Sequence, residues 1–508
     1  MSTTLLLDGR IPSVAGATAL AIAEGTVVWV GDDNTGRACF GDASEVLELR
    51  GALVTPAFVD AHVHATSAGL LASGLDLSGC EGLAQCLDLV ALRARSGTVL
   101  WGHGWDETSW PERRPPTRAE LDRASNGAPV YLSRIDGHSA AVSSALLDRA
   151  AATMNVPGWT AEGPLTREAH HYVRRAARAS ITPGQRRAAQ RAFLNHAATH
   201  GIAVVHECAG PEVSGNDDLA DLLAIDHGVE VVGYWGDAVS TLDQARELLA
   251  ATGAHGLAGD LFCDGSLGSR TAALRVPYVD APDTRGACYL DAQQIAAHVQ
   301  ACTLAGVQAG FHVIGDAATD AVVAGFEAAE AAVGASALRQ RKHRLEHLEM
   351  VDPAQARQLA AWGVVASVQP AFDAAWGGAE GMYAQRLGVS RAATLNRFAL
   401  LEKAGVVLAF GSDAPVTPLD PWAAVRAATG HRSPGSEIGA MEALVAHTYG
   451  GYRAAAATDS LAGALLPGAP ASYAIWAKTE YPPTDPLSCL RTVHRGRIVF
   501  EQDGALLR

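Results

Sequence analysis

Charge is scarce in this chain: only 18% of its 508 residues are Asp, Glu, Lys or Arg, and the acidic groups prevail to leave a formal net charge of −15. That field repels phosphates, and no basic patch dominates to reverse it, so neither nucleic acid nor an anionic membrane is the expected partner. Cysteine is sparse as well. The eight thiols, Cys39, Cys80, Cys86, Cys208, Cys263, Cys288, Cys302 and Cys489, are scattered and form no Cys-x-x-Cys pair; a disulfide framework is not expected, and reduced thiols fit a cytosolic enzyme. The N-terminus lacks a basic leader region, and the apolar segment from Val14 to Val30 is interrupted by Glu24-Gly25. Neither a signal peptide nor a spanning helix is expected, and the chain reads as cytoplasmic. No solenoid period is present, and 48% hydrophobic content is far from a disordered composition.

What the chain does have is length and apolar material enough for a large α/β barrel with a small appended domain. Up to about residue 55, short β-rich runs alternate with turns: Leu5–Ile11, Ala19–Val30 with Glu24-Gly25 as a hairpin signal, and Val46–Leu49. The same style returns at the far end, in Ser472–Trp476 and Thr492–Phe500 with Arg495-Gly496 as its turn. Residues 1–55 plus 465–508 are therefore expected to form one small β domain from both ends of the chain, with 56–464 as the barrel.

The middle alternates apolar strand-like runs with Ala/Arg/Leu-rich helical stretches, the pattern of repeated βα units. Expected strands are Val54–Ala61, Val130–Ile135, Ile202–His206, Val229–Tyr234, Leu261–Cys263, Gln308–Val313, His343–His347, Val364–Val368 and Val406–Gly411; Pro183–Thr199 and Pro353–Trp362 are among the expected helices. The stretch 101–178 is long for one barrel connection and rich in proline, so part of it is expected to be an inserted lid or subdomain.

Ionisable residues cluster at the ends of these strands, where a parallel barrel gathers its active-site groups. His62 and His64 end the first run one residue apart, and residues i and i+2 of a strand share a face. His312, His347 and Asp413 end later runs. Each alone could be a buried structural group, or for Asp413 a turn cap before Pro415. Together, three or four histidines with a carboxylate suit Zn²⁺ or a similar divalent ion, which lowers the pKa of bound water to about 7. A carboxylate beside that water, Asp413, can take its proton and return it to a leaving amine.

Five motifs carry a resemblance. Phe58-Val59-Asp60-Ala61-His62-Val63-His64, the run Phe262–Ala272 containing Asp264-Gly265-Ser266-Leu267-Gly268-Ser269-Arg270, His312-Val313-Ile314-Gly315-Asp316, Arg344-Leu345-Glu346-His347 and Gly411-Ser412-Asp413-Ala414-Pro415 stand in one order. In that order they resemble the amidohydrolase superfamily, in its family 3 branch with the N-substituted formamide deformylases. Gly102–Asp106 and Asp136–Ala140 are further echoes. The resemblance implies a (β/α)8 TIM-like barrel with a small β-sandwich domain from both termini, and a metal held by His62, His64, His312 and Asp413, with His347 binding a second metal or orienting substrate.

One position departs from the pattern. Where many members carry a lysine whose carbamate bridges two metals, this chain has Asp260. On a regular strand its shorter side chain falls several bonds short, so one ion is expected rather than two. Asp260, Asp264 and Glu207 each stay open as a further ligand.

Substrate contacts are expected from Trp101, Trp105, Arg270 and Phe372. Trp110 and Trp376 are alternatives, and core packing or a structural salt bridge is the competing role for all of these. His138 and His347 are expected to steady a developing oxyanion; His103 and His206 are expected to contact ligands rather than metal. The expected reaction is metal-dependent hydrolysis of a non-peptide amide or N-formyl C–N bond in a small molecule, by a chain that could form a homo-oligomer. Ring deamination, ester or lactone hydrolysis, and a non-catalytic scaffold are the alternatives; Gly315 stands where related deaminases commonly carry a glutamate, which disfavours the first.

Overall fold

The computed structural model describes residues 3–72, 74–150 and 156–505. Two four-stranded sheets use both ends of the chain. One runs in the order Thr26–Gly31, Ala19–Ala23, Thr3–Leu7 and Glu45–Glu48; the other in the order Arg497–Glu501, Cys489–His494, Tyr473–Trp476 and Leu53–Pro56. Both put side chains into one buried cluster, in which Leu6, Leu20 and Leu47 of the first sheet meet Val54, Tyr473 and Val493 of the second. The tight turn at Glu24-Gly25 is made with positive φ at both residues, +47° and +74°. Not expected was the helix Asp33–Phe40, started by Asp32, whose carboxylate accepts from the Thr35 amide.

The run expected as one strand over Val54–Ala61 is two. Leu53–Pro56 pairs antiparallel with Tyr473–Trp476, whereas Phe58–Val63 pairs parallel with Ile202–Ala209. The chain thus passes at Ala57 from the terminal sheets straight into the parallel strands, and the two histidines follow within one strand length of that crossing.

The parallel strands form two ladders. Phe58–Val63, Ile202–Ala209 and Glu230–Trp235 make one; Gly310–Val313, Arg344–His347, Val365–Val368 and Val407–Phe410 make the other. Single parallel bridges Tyr234↔Gly256, Leu257↔Ala309 and Phe262↔His312 lie between them on one side, and Val63↔Ala414 on the other. Residues around Leu261–Cys263 hold only these bridges, not the expected strand. Gly411 permits a close approach: a Cβ there would stand 2.6 Å from the His62 amide nitrogen.

Between Phe58–Val63 and Ile202–Ala209 the chain builds a further five-stranded sheet, in the order Leu165–Thr166, Ser139–Val142, Val130–Arg134, Leu100–Trp105 and Leu75–Asp76. Val130–Arg134 belongs here and not to the parallel ladders, because its neighbours across the sheet are Leu100–Trp105 and Ser139–Val142. Residues 151–155 of the expected 101–178 insertion lie outside the described residues. Helix Pro183–Thr199 has the bounds expected of it, set by Thr182 and Gln185 in a capping box and by proline in the first turn. Among the described residues no single helix is long and apolar enough to cross a membrane.

Candidate metal centre

His62 lies within Phe58–Val63, His64 just past its end, His312 within Gly310–Val313 and His347 at the end of Arg344–His347. Asp413 sits three residues past Val407–Phe410, tied in by its amide, which donates to the His62 carbonyl at 2.8 Å. His347 and Asp413 both have left-handed backbone, φ +69° and +54°. Such conformations cost about 1–3 kcal/mol each and cluster where geometry serves a site.

The Asp260 carboxylate occupies the middle. Its Oδ1 lies 3.6 Å from His62 Nε2, 3.5 Å from His312 Nδ1 and 3.9 Å from His347 Nε2, and its Oδ2 lies 3.3 Å from His64 Nε2. Asp413 Oδ1 is 3.5 Å from His62 Nε2 and 3.1 Å from His64 Nε2. Asp260, left open as a further ligand by the sequence, is brought among these rings by its backbone: Gly259 turns the chain with φ +78° immediately before it, and Gly236 admits that backbone closely, since a Cβ at Gly236 would stand 2.5 Å from the Asp260 carbonyl carbon.

The donor set fits a divalent cation. His62 Nε2, His312 Nδ1, Asp260 Oδ1 and Asp413 Oδ1 are all buried and, among the described residues, without a hydrogen-bond partner. Buried polar atoms are seldom left so, and four linked in a row, His312 to Asp260 to His62 to Asp413 at 3.5, 3.6 and 3.5 Å, call for an explanation. Ligand atoms ~2.1 Å from one ion at a tetrahedral angle stand roughly 3.3 Å apart, close to the spacings found here.

The opposite nitrogens of three rings are committed elsewhere. His62 Nδ1 bonds Glu346 Oε2 at 2.9 Å, His347 Nδ1 bonds Gln369 Oε1 at 2.8 Å, and His312 Nε2 bonds the Gly265 carbonyl at 3.2 Å. Each acceptor holds the proton on its own side and turns the other lone pair to the centre. Glu346 is fixed in turn by fully buried Arg344, whose guanidinium also reaches the Ala61 carbonyl at 2.6 Å and His206 Nδ1 at 3.1 Å.

The electrostatics agree with a cation site. Although burial opposes charge on an imidazole, Asp260 and Asp413 raise His347 to about 9 and carry His64 well above its ordinary value. Both carboxylates are held below their ordinary range by the surrounding rings despite burial. A metal ion would displace those protons.

The other expected residues divide. Asp264 faces away from the centre: its oxygens accept the amides of Ala273, Ile314 and Gly315 at 2.8, 3.0 and 2.8 Å. Glu207 accepts the Ala65 amide at 2.7 Å, and burial pushes it up to about 8. Trp105 is buried in the inserted sheet with its indole N–H on the Leu132 carbonyl, and Arg270 is paired with Asp280 at 2.7 Å, so neither faces the cavity at the metal centre. For Trp105 strand alternation turns the ring into the sheet's own core, and for Arg270 the nearby carboxylate captures the guanidinium.

Phe372 stacks on His347 with ring centres 5.9 Å apart and planes at 10°, bracing that ring. Trp101 does line the cavity, 4.8 Å from the Tyr131 ring. His138 lines it too, its ring centre 4.9 Å from that of His312; burial and that neighbour lower it to about 3. The cavity, about 470 Å³, opens onto His64, Asp260, His312, His347 and Asp413. Arg174 and Arg178 line it without having been singled out in the sequence, where Arg174 and Arg178 at i, i+4 of one helix were the available signal.

A model described as the amidohydrolase family matches residues 45–500. Protein LONG AFTER FAR-RED 3 of Arabidopsis thaliana is 28% identical, with 94% of this chain and 86% of that protein covered. The putative amidohydrolase YtcJ of Bacillus subtilis (strain 168) is 26% identical, over 90% and 91% respectively. Among solved structures, an uncharacterized metal-dependent hydrolase from Pyrococcus furiosus superposes with a TM-score of 0.72 at 26% identity, covering 94% of this chain and 99% of that one.

Proposed function

The chain belongs to the amidohydrolase family, with its TIM-barrel-like α/β fold, and is a metal-dependent hydrolase acting on C–N bonds; from that premise we propose that it cleaves a non-peptide amide or N-formyl bond in a small molecule. The observation that carries the reading is a run of four buried donors, unpartnered among the described residues and spaced 3.5–3.6 Å apart, beside a 470 Å³ cavity. His62, His64, His312, Asp260 and Asp413 would hold the ion, with His347 at its edge. Imidazole and carboxylate donors suit Zn²⁺. The ion, when bound, supplies a Lewis acid for the substrate carbonyl and makes water acidic enough to attack near neutral pH.

A single ion is proposed, because of the three candidate donor groups among the described residues that share His62, the one with His64 and Asp413 and the one with Asp260 and His347 both draw on its Nε2, while Cys208 and Glu346 of the third lie at its Nδ1, which Glu346 already engages. One nitrogen lone pair serves one ion. The Asp413 carboxylate, through the oxygen not given to the ion, takes the proton of the attacking water and returns it to the leaving nitrogen, so that an amine and a carboxylic acid are released. His138, whose ring neighbours His312, steadies the oxygen that becomes negative as the carbonyl is attacked, whereas His347 turns a lone pair and no N–H to the centre.

For the domains, we read the two terminal sheets as one small β-sandwich, 1–55 plus 465–508, supported by their shared core, and the five-stranded sheet as an inserted unit that walls the cavity.

The test is a panel of N-formyl amines, other amides, esters, lactones and aminopyrimidines offered to metal-reconstituted and chelated protein. Metal-dependent release of amine from the formyl or amide members is expected. Turnover confined to esters or aminopyrimidines, or none at all, would overturn the assignment.

A further inference from the structure

The mouth of the cavity holds two guanidinium groups with no carboxylate bound to them among the described residues. Both come from helix Arg167–Arg178, one turn apart. Arg174 donates to two backbone carbonyls, Glu212 at 3.1 Å and Gly137. Arg178 makes no side-chain hydrogen bond or ion pair among the described residues, and its Nη1 is buried. Burial depresses it to about 10. The acidic group acting on it most strongly, Asp218, is committed to the Thr66 hydroxyl at 2.6 Å and to Gln190 at 2.9 Å.

The other cavity arginines differ. Arg186 is bonded to Asp221 at 2.6 Å, and Arg175 lies over the Tyr172 ring with Glu212 at 3.8 Å. A guanidinium is expensive to bury without an anion, and it presents a planar fork that matches a carboxylate.

The arginines are joined to the metal centre by short links. Arg174 holds the Gly137 carbonyl, the next residue is His138, and the His138 ring is 4.9 Å from His312. Trp101 and Tyr131 line the same cavity as the two arginines and the metal centre, giving it aromatic surface beside its charged groups.

We propose that the cavity selects an anionic substrate, in which a carboxylate on the same small molecule as the scissile C–N bond is held by Arg178, with Arg174 beside it. The inference rests on the hydrolytic reading for the position of the bond, but not for the binding of the anion.

The experiment separates the two by reading binding with ligands that contain no C–N bond. Benzoate and hydrocinnamate, each against the neutral methyl ketone of its size (acetophenone, benzylacetone), are titrated calorimetrically into metal-loaded wild type and Arg178→Met. In the wild type at least one acid is expected to bind about tenfold or more tightly than its ketone, the scale of a charge-assisted hydrogen bond. In Arg178→Met the preference is expected to fall below about threefold with ketone binding unchanged, and Arg178→Lys to restore part of it.

Equal binding of acid and ketone in the wild type, or no binding of either, overturns the inference. So does a preference undiminished in a folded Arg178→Met, which would put the carboxylate on the metal. If Arg178→Met does not fold, the same titrations on the metal-free wild type decide: an acid preference kept without the metal supports the inference, and one lost with the metal overturns it. Failure of the C–N panel with the acid preference intact refutes the hydrolytic reading and leaves the anion site standing.

Discussion

Glu346→Gln is the substitution that most directly probes how the chain builds its metal centre. Glu346 is fully buried, accepts from His62 Nδ1 at 2.9 Å and pairs with Arg344 through both oxygens, at 2.5 and 3.0 Å. As a carboxylate it can only accept, so His62 keeps its proton on Nδ1 and offers Nε2 to the ion. A glutamine of the same shape can turn its amide N–H toward Nδ1 instead, which moves the ring proton to Nε2 and blocks the ligand. Loss of such an orienting partner costs roughly 10–100-fold in metal affinity, or about 1.4–2.8 kcal/mol.

The fold loses more, since Arg344 keeps only the Ala61 carbonyl, the Ser367 hydroxyl at 3.1 Å and His206 as full partners. Removing one member of a buried pair costs about 3–5 kcal/mol. Competition against a chelator of known affinity reads the first quantity, and denaturant unfolding at fixed free metal reads the second. Ser367→Ala is the control: it removes one bond to Arg344 without touching His62, and should cost about 1 kcal/mol with metal affinity unchanged. A folded Glu346→Gln protein that binds metal within two- to threefold of wild type would refute the reasoning.

Three further outcomes are expected. Asp413→Asn should reduce turnover at least a hundredfold while the thermal midpoint of the metal-free protein stays near wild type; retained activity removes Asp413 from its proton-transfer role. Elemental analysis should find one ion per chain in the wild type and markedly less after Asp260→Ala, and two ions per wild-type chain would overturn the single-ion reading. Asp136 is buried, and the Arg134 guanidinium together with the hydroxyls of Ser266 and Ser269 overcomes that burial to hold its carboxyl down to about 2. A depressed folded-state pKa contributes stability above the unfolded value, near 3.8, that is lost as pH falls toward 2. Asp136→Asn should therefore lower stability by about 2 kcal/mol at neutral pH and flatten the acid limb between about pH 4 and 2, as read by unfolding at a series of pH values. An unchanged acid limb would contradict the shift.

The ligands differ in how far local pattern reveals them. His62 and His64 were readable because a strand's period of two places both rings on one side, and His312, His347 and Asp413 because each ends or follows an apolar run of strand length. Asp260 stayed open in the sequence, since its reach depends on Gly259 and on how closely Gly236 lets the backbone approach. Trp105 and Arg270 looked like substrate contacts from their neighbours in sequence, yet the first packs inward from its strand and the second is taken by Asp280, ten residues on.

By itself, then, the sequence determined most of the parallel strands, the family, and which residue types arrive at the strand ends, because period and order are properties of the chain. The tertiary structure decided which donors meet at one point, which ring nitrogen each acceptor holds, and which arginine is left without a carboxylate. Those depend on distances between segments up to several hundred residues apart, as between His62 and Glu346, and no local pattern encodes them.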